Sequence, residues 1–341
     1  MKAITSARGI GPLPDFVDRW EGSAAAARIF TRVGLPVELS LSPDQMMPLH
    51  KLAELYEAAA CVTGNSLFGF HVGLEMTEKF GCWVDYARCA PDLHTCLQRA
   101  SRTLGYHQTG TRLVLTVGKT IARYSYILPG LPRAHAQHVE HALPSLLRTF
   151  RQFTGPGWKP LFIETDQTRS RRIDALEQAL SIPVHCDCPA TAVVFPARLL
   201  NSRSHRDMPR PRQIYLQDLR TMVRKRAPED FENVVRELIH TNLLSGRTDA
   251  ASIADSLGIG LRTFQRRLAK DDLCYRSLLT DVRLEKACAL LVDSDMQVSE
   301  IAFLSGYSEQ SHLARAFRRK LQMPPGTYRQ KARARGGSGT T

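Results

Sequence analysis

In the last third of the chain apolar positions recur at intervals of three and four residues, and a glycine breaks the recurrence twice. Ile253, Ala254 and Leu257 form one inner face, Gly258 turns the chain, and Phe264 and Leu268 anchor a second helix whose outer face carries Arg262, Gln265 and Arg266. The plan repeats with Ile301, Ala302 and Leu304 before Gly306, then Leu313 and Phe317 behind an outer face of Gln310, Ser311, Ala314, Arg315 and Arg318. Glycine suits both breaks because it takes the positive φ of a tight turn without steric cost. The pattern therefore predicts two tandem helix-turn-helix units, Ala250–Lys270 and Val298–Lys320. Between them Leu278, Leu279, Val282, Ala287, Leu290 and Leu291 predict a helix over Tyr275–Asp293, closed by Asp293-Ser294-Asp295. At ~1.5 Å per residue it is roughly 27 Å long, enough to hold the two outer faces about one turn of DNA (~34 Å) apart. Arg and Gln are side chains that read guanine and adenine edges with paired hydrogen bonds in the major groove, so double-stranded DNA is the partner these faces imply.

The first two hundred residues mix periods. Helical spacing dominates Ala24–Val33 and Leu49–Thr63, and strand alternation runs through Arg112–Val117, with Leu113, Leu115 and Val117 on one face, and through Ile121–Leu128. Gly118-Lys119 joins these two strands as a hairpin. A helix at Arg133–Phe153 follows, then strands at Leu161–Glu164 and Thr191–Phe195 on either side of a helix at Arg171–Leu180. The expected fold is an α+β N-terminal domain with an antiparallel sheet, then an all-α C-terminal domain of two helix-turn-helix units joined by a linker helix. Asn201–Pro211, rich in Ser, Pro and Arg, reads as a linker, and the amphipathic stretch Ile214–Arg226 as a connecting helix or the start of the C-terminal module. The C-terminal module then begins with a helix at Phe231–Thr241, and Thr248 or Asp249 is placed to cap the next. This divides the chain into residues 1–204, a linker with its connecting helix at 205–227, a DNA-binding module at 228–331, and a disordered tail at 332–341.

Charge supports a polyanionic partner without locating it. The chain of 341 residues carries a formal net charge of +13. Lys and Arg exceed Asp and Glu by 23 to 18 before residue 210, by six to one over Arg210–Ala227, and by 17 to 14 from Pro228 onward. The excess is not gathered in the helix-turn-helix pair, so particular faces carry the DNA argument. No signal-peptide core and no apolar run of the ~20 residues a bilayer needs is visible, so a cytoplasmic protein without membrane association is expected. The eight cysteines include no Cys-x-x-Cys and read as reduced thiols.

Common catalytic signatures do not appear in the same sequence. It has no phosphate-binding Gly-x-x-x-x-Gly-Lys-Ser/Thr loop, no Gly-x-Ser-x-Gly elbow and no dinucleotide fingerprint. His135, His138 and His141 meet no zinc pattern, since Gln137 stands where a second histidine would be needed, and they read as a polar helix face. Cys186 and Cys188 read as small hydrophobes alternating inward along a strand, with His185 beside them as the alternative soft-metal ligand. No cofactor and no metal is expected. An apolar or aromatic effector would need a pocket with a few polar groups, for which Trp83 and Tyr86 at helical spacing and Tyr124 and Tyr126 on one strand face are candidates. The alternative is that these four are core residues.

From about Ile239 to Arg329 the chain resembles the DNA-binding module of AraC/XylS-type transcription regulators. The resemblance rests on Ile253-Ala254, Leu257-Gly258, Phe264-Gln265-Arg266-Arg267-Leu268, Arg283, Ala287, Leu290-Leu291, Ile301-Ala302, Gly306-Tyr307-Ser308, the run Ser311 to Arg319, Pro325 and Tyr328-Arg329. It implies base-reading positions at Arg262, Gln265 and Arg266 in the first unit and at Gln310, Ser311, Ala314 and Arg315 in the second. It also implies activation of transcription by contact with RNA polymerase. Where the family usually has glycine the chain has Gln322, which predicts a differently built turn after that helix. The N-terminal part is similar to the arabinose-binding-like domain of one branch of this family, through Val33-Gly34-Leu35, Pro48-Leu49, Leu55 to Gly64, Phe70 to Gly73, Leu93 to Ala100, Gly157-Trp158-Lys159-Pro160 and Pro183-Val184. That similarity implies a domain that senses a small-molecule effector or makes a homodimer, and does not name arabinose as the ligand. Two other classes stay open at this point: a metal-dependent enzyme with an appended DNA module, and an architectural DNA-binding protein without effector.

Overall fold

A short strand, β1 (Ile4–Ser6), leads into helices α1 (Leu13–Glu21) and α2 (Ala25–Val33), and the chain returns beside it, antiparallel, as β2 (Met46–Pro48). The computed structural model describes residues 3–22, 24–76, 80–129, 135–205, 214, 216, 230–243 and 245–336, with side chains up to residue 332. It divides into two compact units, Met1–Glu229 and Asp230–Thr341. In the first, β2 runs straight into α3 (Leu49–Thr63), which is followed by α4 (Phe68–Glu75), α5 (Cys82–Arg88) and α6 (Leu93–Thr103). The hairpin β3 (Arg112–Val117) and β4 (Ile121–Ile127) closes as expected, with the Gly118 amide donating to the Ile121 carbonyl at 2.9 Å. Helix α7 (Ala136–Thr154) comes next, then β5 (Phe162–Glu164), α8 (Arg171–Leu180), β6 (Val184–His185) and β7 (Thr191–Pro196).

The main sheet has the order β3-β4-β7-β5-β6. It is not wholly antiparallel: β5 and β6 run parallel, because α8 carries the chain back across one face before the next strand begins. β7 lies at the centre and is buried from Thr191 to Phe195, whereas β3 is an edge strand and leaves Val117, expected on its inner face, 54% exposed. Leu143, Leu147 and Phe150 of α7 pack on Tyr124, Val193 and Phe195 of the sheet to form one core. A second core gathers Leu13, Val17, Phe30, Leu52, Tyr56, Phe68 and Val72. Helix α4 serves both, since Phe70 belongs to the first core while Phe68 and Val72 belong to the second.

Two glycines set the crossing of α4 on α7. A side chain on Gly69 would overlap the Gln137 carbonyl, and one on Gly73 would overlap that of His141, so only hydrogen lets the two backbones approach this closely. Gln137 then fastens the crossing: its amide oxygen accepts from the Gly69 N–H at 2.7 Å and its Nε2 donates to the Ser66 carbonyl at 2.8 Å. The sequence pattern shows this position only as a polar residue that is not histidine.

In the second unit α9 (Phe231–Leu243) is followed by α10 (Ala250–Ser256), α11 (Leu261–Lys270), α12 (Tyr275–Asp293), α13 (Val298–Leu304), α14 (Gln310–Leu321) and α15 (Pro325–Gly336). Asp249, one of the two expected caps, accepts the Ser252 amide at 2.9 Å; Thr248 is engaged elsewhere. Gly258 and Gly306 both take positive φ, at 58° and 81°. Leu278, Val282, Leu284, Ala287 and Leu291 bury the inner face of α12. Leu304 departs from expectation: with Ile301 and Ala302 filling the core, it is 44% exposed beside Phe303. Gln322 also corrects the expected difference, because it takes the left-handed conformation itself at φ 55°, so the turn is built as a glycine would build it. The tail assigned to 332–341 is helical as far as Gly336, where a run of Arg, Lys and Ala favours helix; 337–341 lie outside the described residues. Most of the expected linker and connecting helix, beyond residue 205, also lies outside them.

Candidate nucleic-acid interface and sensor cavity

The second helix of each helix-turn-helix pair presents its outer face to solvent. On α11, Phe264 and Leu268 are buried while Arg262, Gln265 and Arg266 are exposed. On α14, Leu313, Ala316 and Phe317 are buried and Gln310, Ser311 and Arg315 are exposed, with Ala314 half-buried on the same side. Among the described residues no side-chain hydrogen bond or ion pair engages Arg262, Gln265, Arg266, Gln310 or Arg315, so their donors are available. Ser311 differs, since its hydroxyl donates to the Glu309 carboxylate at 2.9 Å.

Arg283 of α12 bridges the two pairs. Its Nη2 donates to the Thr248 hydroxyl at 3.0 Å, beside the cap of α10, and its guanidinium stands 5.4 Å from the centre of the Tyr307 ring in the turn before α14. Gly306 leaves the room, since a Cβ there would come 2.6 Å from the Leu243 side chain and 3.1 Å from Arg283 Nε. The far end of α12 is held by Arg329, which donates to the carbonyls of Leu291 (3.2 Å) and Met296 (2.5 Å), and Tyr328 packs edge-on against Phe317 at 5.7 Å. Lys320 ties α14 to the same helix through Asp281 at 2.8 Å.

The N-terminal unit contains a cavity of about 100 Å³. Trp83, Tyr124 and Tyr126, three of the four aromatic candidates, line it, together with Phe80, Leu97, Leu113, Leu143, His107, Gln108, His138 and His141. Tyr86 lies outside: its ring faces the Arg99 guanidinium at 4.9 Å. Among the described residues no lysine, arginine, aspartate or glutamate lines the cavity. His138 and His141 are each 2% exposed, so they are not the polar helix face the sequence suggested. That face turns inward because the α4 crossing and the sheet cover it. His135 is also buried but reaches a different group, Asp166, at 3.6 Å.

His107, which sequence reasoning passed over, enters from the loop after α6. β1 fixes that loop: the Ser6 amide donates to the His107 carbonyl at 2.8 Å and the Thr109 amide to the Ile4 carbonyl at 2.9 Å. The ring stacks on Trp83, with centres 5.7 Å apart. Burial pushes His107 down to about 3 and His141 to about 4, and holds His138 well below the ordinary imidazole range, so all three are neutral near pH 7. Nearby, the Glu140 carboxyl is pushed up to about 7 by burial, against the pull of its partner Arg172. Cys186 and Cys188 are half-buried in a turn after β6 rather than alternating along a strand, because Asp187 between them takes positive φ. Among the described residues no group of three or more His, Cys, Asp or Glu side chains is arranged to hold a metal ion, and no helix is long and apolar enough to cross a membrane.

Paired helix-turn-helix units on one connecting helix, preceded by a separate α+β unit with an apolar cavity, define the class of two-domain DNA-binding regulators. Residues 24–204, more than half of the chain, match the family model of the arabinose-binding domain of AraC transcription regulators, N-terminal, and residues 253–331 match a helix-turn-helix domain model. The chain belongs to the AraC family of transcription regulators. It is 29% identical over 305 residues to the HTH-type transcriptional regulator VirS of Mycobacterium tuberculosis, covering 87% of this chain and 88% of that one. It is 34% identical over 110 residues to the transcriptional activator NphR of a Rhodococcus species, 32% of each chain. Among solved structures it is similar to the transcriptional regulator CdpR of Pseudomonas aeruginosa, with a TM-score of 0.40 and 19% identity over 89% of this chain and 96% of that one.

Proposed function

We propose that this regulator reads two successive major grooves of its operator, with Arg262, Gln265 and Arg266 on one half-site and Gln310, Ser311, Ala314 and Arg315 on the other. The observation that carries this reading is the placement of these residues on the outer faces of α11 and α14, all but the half-buried Ala314 exposed, with the donors of five of them unengaged. Arg283 supports it by joining the two units through one helix, so that the spacing of the half-sites is set by the protein. Residues 1–204 act as the sensor, and an effector bound in their cavity changes DNA binding by favouring one state of the chain over another. The protein acts in the cytoplasm, and its output is activation through contact with RNA polymerase, with a homodimer as the form that occupies neighbouring sites. Selection of bound sequences from random DNA with the full chain tests the DNA reading. Two short conserved blocks about one helical turn apart are expected; a single block, or no block, would remove the tandem readout.

A further inference from the structure

We infer that the cavity of the N-terminal unit takes an uncharged, mainly hydrocarbon molecule bearing a hydroxyl group, held between His138 and His141. This rests on the sensor reading above and names the ligand class for the same cavity.

The hydrogen-bond network leaves three buried ring nitrogens of the cavity lining unmatched, His107 Nδ1, His138 Nδ1 and His141 Nε2, and the last two lie on neighbouring rings of one helix. His141 Nδ1 points to the carbonyl of His138, which only accepts, so Nδ1 carries the proton and Nε2 is an acceptor. Gln108 Nε2 donates to the Tyr126 hydroxyl at 2.5 Å, and we assign that hydroxyl's proton to His138 Nε2, 3.3 Å away. In that tautomer His138 carries its proton on Nδ1, a donor. Neither His138 Nδ1 nor His141 Nε2 has a partner among the described residues, although both are buried, on rings whose centres lie 4.9 Å apart. Buried polar atoms are ordinarily paired, and a donor beside an acceptor is the complement of one hydroxyl, which accepts from the first and donates to the second.

The rest of the lining sets the remainder of the ligand. Phe80, Trp83, Leu97, Leu113 and Leu143 offer hydrocarbon and aromatic surface. A carboxylate would find no cationic side chain among the described lining residues and could only accept, leaving His141 Nε2 unmatched. A sugar would carry several hydroxyls, whereas the Tyr124 hydroxyl is already bonded to the Leu97 carbonyl at 3.1 Å, and Gln108 to Thr111 and Tyr126.

Isothermal titration of the full-length protein at pH 7.5 with cyclohexylmethanol, methylcyclohexane, cyclohexanecarboxylate and L-arabinose tests this. The alcohol is expected to bind about tenfold more tightly than the hydrocarbon, one to two net hydrogen bonds' worth, and more tightly than the carboxylate or the pentose. His141→Phe, which keeps a ring against Tyr56, is expected to bring the alcohol down to the hydrocarbon's affinity without changing the latter; the four-probe comparison on the unaltered protein decides the matter should that variant not fold. Tighter binding of the carboxylate or of arabinose would overturn the ligand class and leave the sensor reading standing. Equal binding of alcohol and hydrocarbon would overturn the histidine clamp. No binding by any of the four would overturn both the ligand class and the sensor cavity.

Discussion

The proposed reading of DNA and the tightness of its scaffold both come down to single side chains. Because Arg262 and Arg315 are exposed and unengaged, truncating either removes little from the fold. Arg262→Ala or Arg315→Ala is expected to weaken binding to the selected site by about 1–3 kcal/mol and to random DNA by much less, since a base contact discriminates where a phosphate contact does not. Competition gel shifts measure both; equal losses would mean these side chains touch only the backbone. Gln322 is a different kind of residue. It holds φ 55° with only a 3.3 Å bond from its Nε2 to the Arg319 carbonyl to offset the steric cost of a β-carbon there. Gln322→Gly should therefore raise stability by about 1 kcal/mol, read as a higher urea midpoint, and a fall would show that the Gln side chain holds the turn.

At the scale of elements, the crossing of α4 on α7 positions the histidines of the cavity. Gly73→Ala gains about 0.8–1 kcal/mol of helix propensity but drives a methyl group into the His141 carbonyl, which belongs to backbone and cannot swing aside. Overpacking against fixed atoms costs about 1–3 kcal/mol and should prevail, lowering the denaturation midpoint and loosening probe binding in the cavity together. A midpoint that rises would mean the helices part easily and the crossing is not what fixes the ring positions. The elements of the second unit were far more legible in the sequence than this crossing. The periodicity from 250 to 320 marks each helix because its apolar residues face one small core, and Asp249, Gly258 and Gly306 mark where helices begin or turn. Leu304 misled because helical spacing identifies a face but not where that face runs out of neighbours.

For the whole molecule, acid should act on the N-terminal unit. Unfolded, His107, His138 and His141 take up protons near pH 6.5; folded, His141 waits until about 4 and His107 until about 3. In that interval the unfolded chain binds more protons, so their contribution is complete above about pH 6.5 and is lost as pH falls toward 4. Glu140, raised to about 7, works in the opposite direction over the same range, but it is one group against three. The melting temperature is expected to fall steadily from pH 7 to 5, and a constant or rising value would contradict buried neutral imidazoles. The division of labour makes a second prediction. A fragment from Arg212 to Thr341 contains α12 and both helices proposed to read DNA, so it should select the same base sequence as the full chain, more weakly if the full chain gains from a dimer, and without response to a cavity ligand. Gel shifts of both proteins, with and without cyclohexylmethanol, check this; loss of sequence preference in the fragment would place part of the reading surface in the first unit.

The sequence alone determined the helix-turn-helix pair, the helix between them, the side chains they turn outward and the family, because these follow from local periodicity, turn chemistry and spaced motifs within about ninety consecutive residues. It also showed the hairpin, α8 and α7, which are short-range features. What only tertiary structure decided is the cavity. His107 and His138 are separated by 31 positions, and they meet because β1, a three-residue strand too short to leave a pattern, ties down one loop while two glycines let α4 and α7 touch. The parallel pairing of β5 with β6 is likewise long-range. Tyr86 and Trp83 share helical spacing in the sequence, yet only Trp83 faces the cavity, because which side of a short helix is covered is settled by what packs on it.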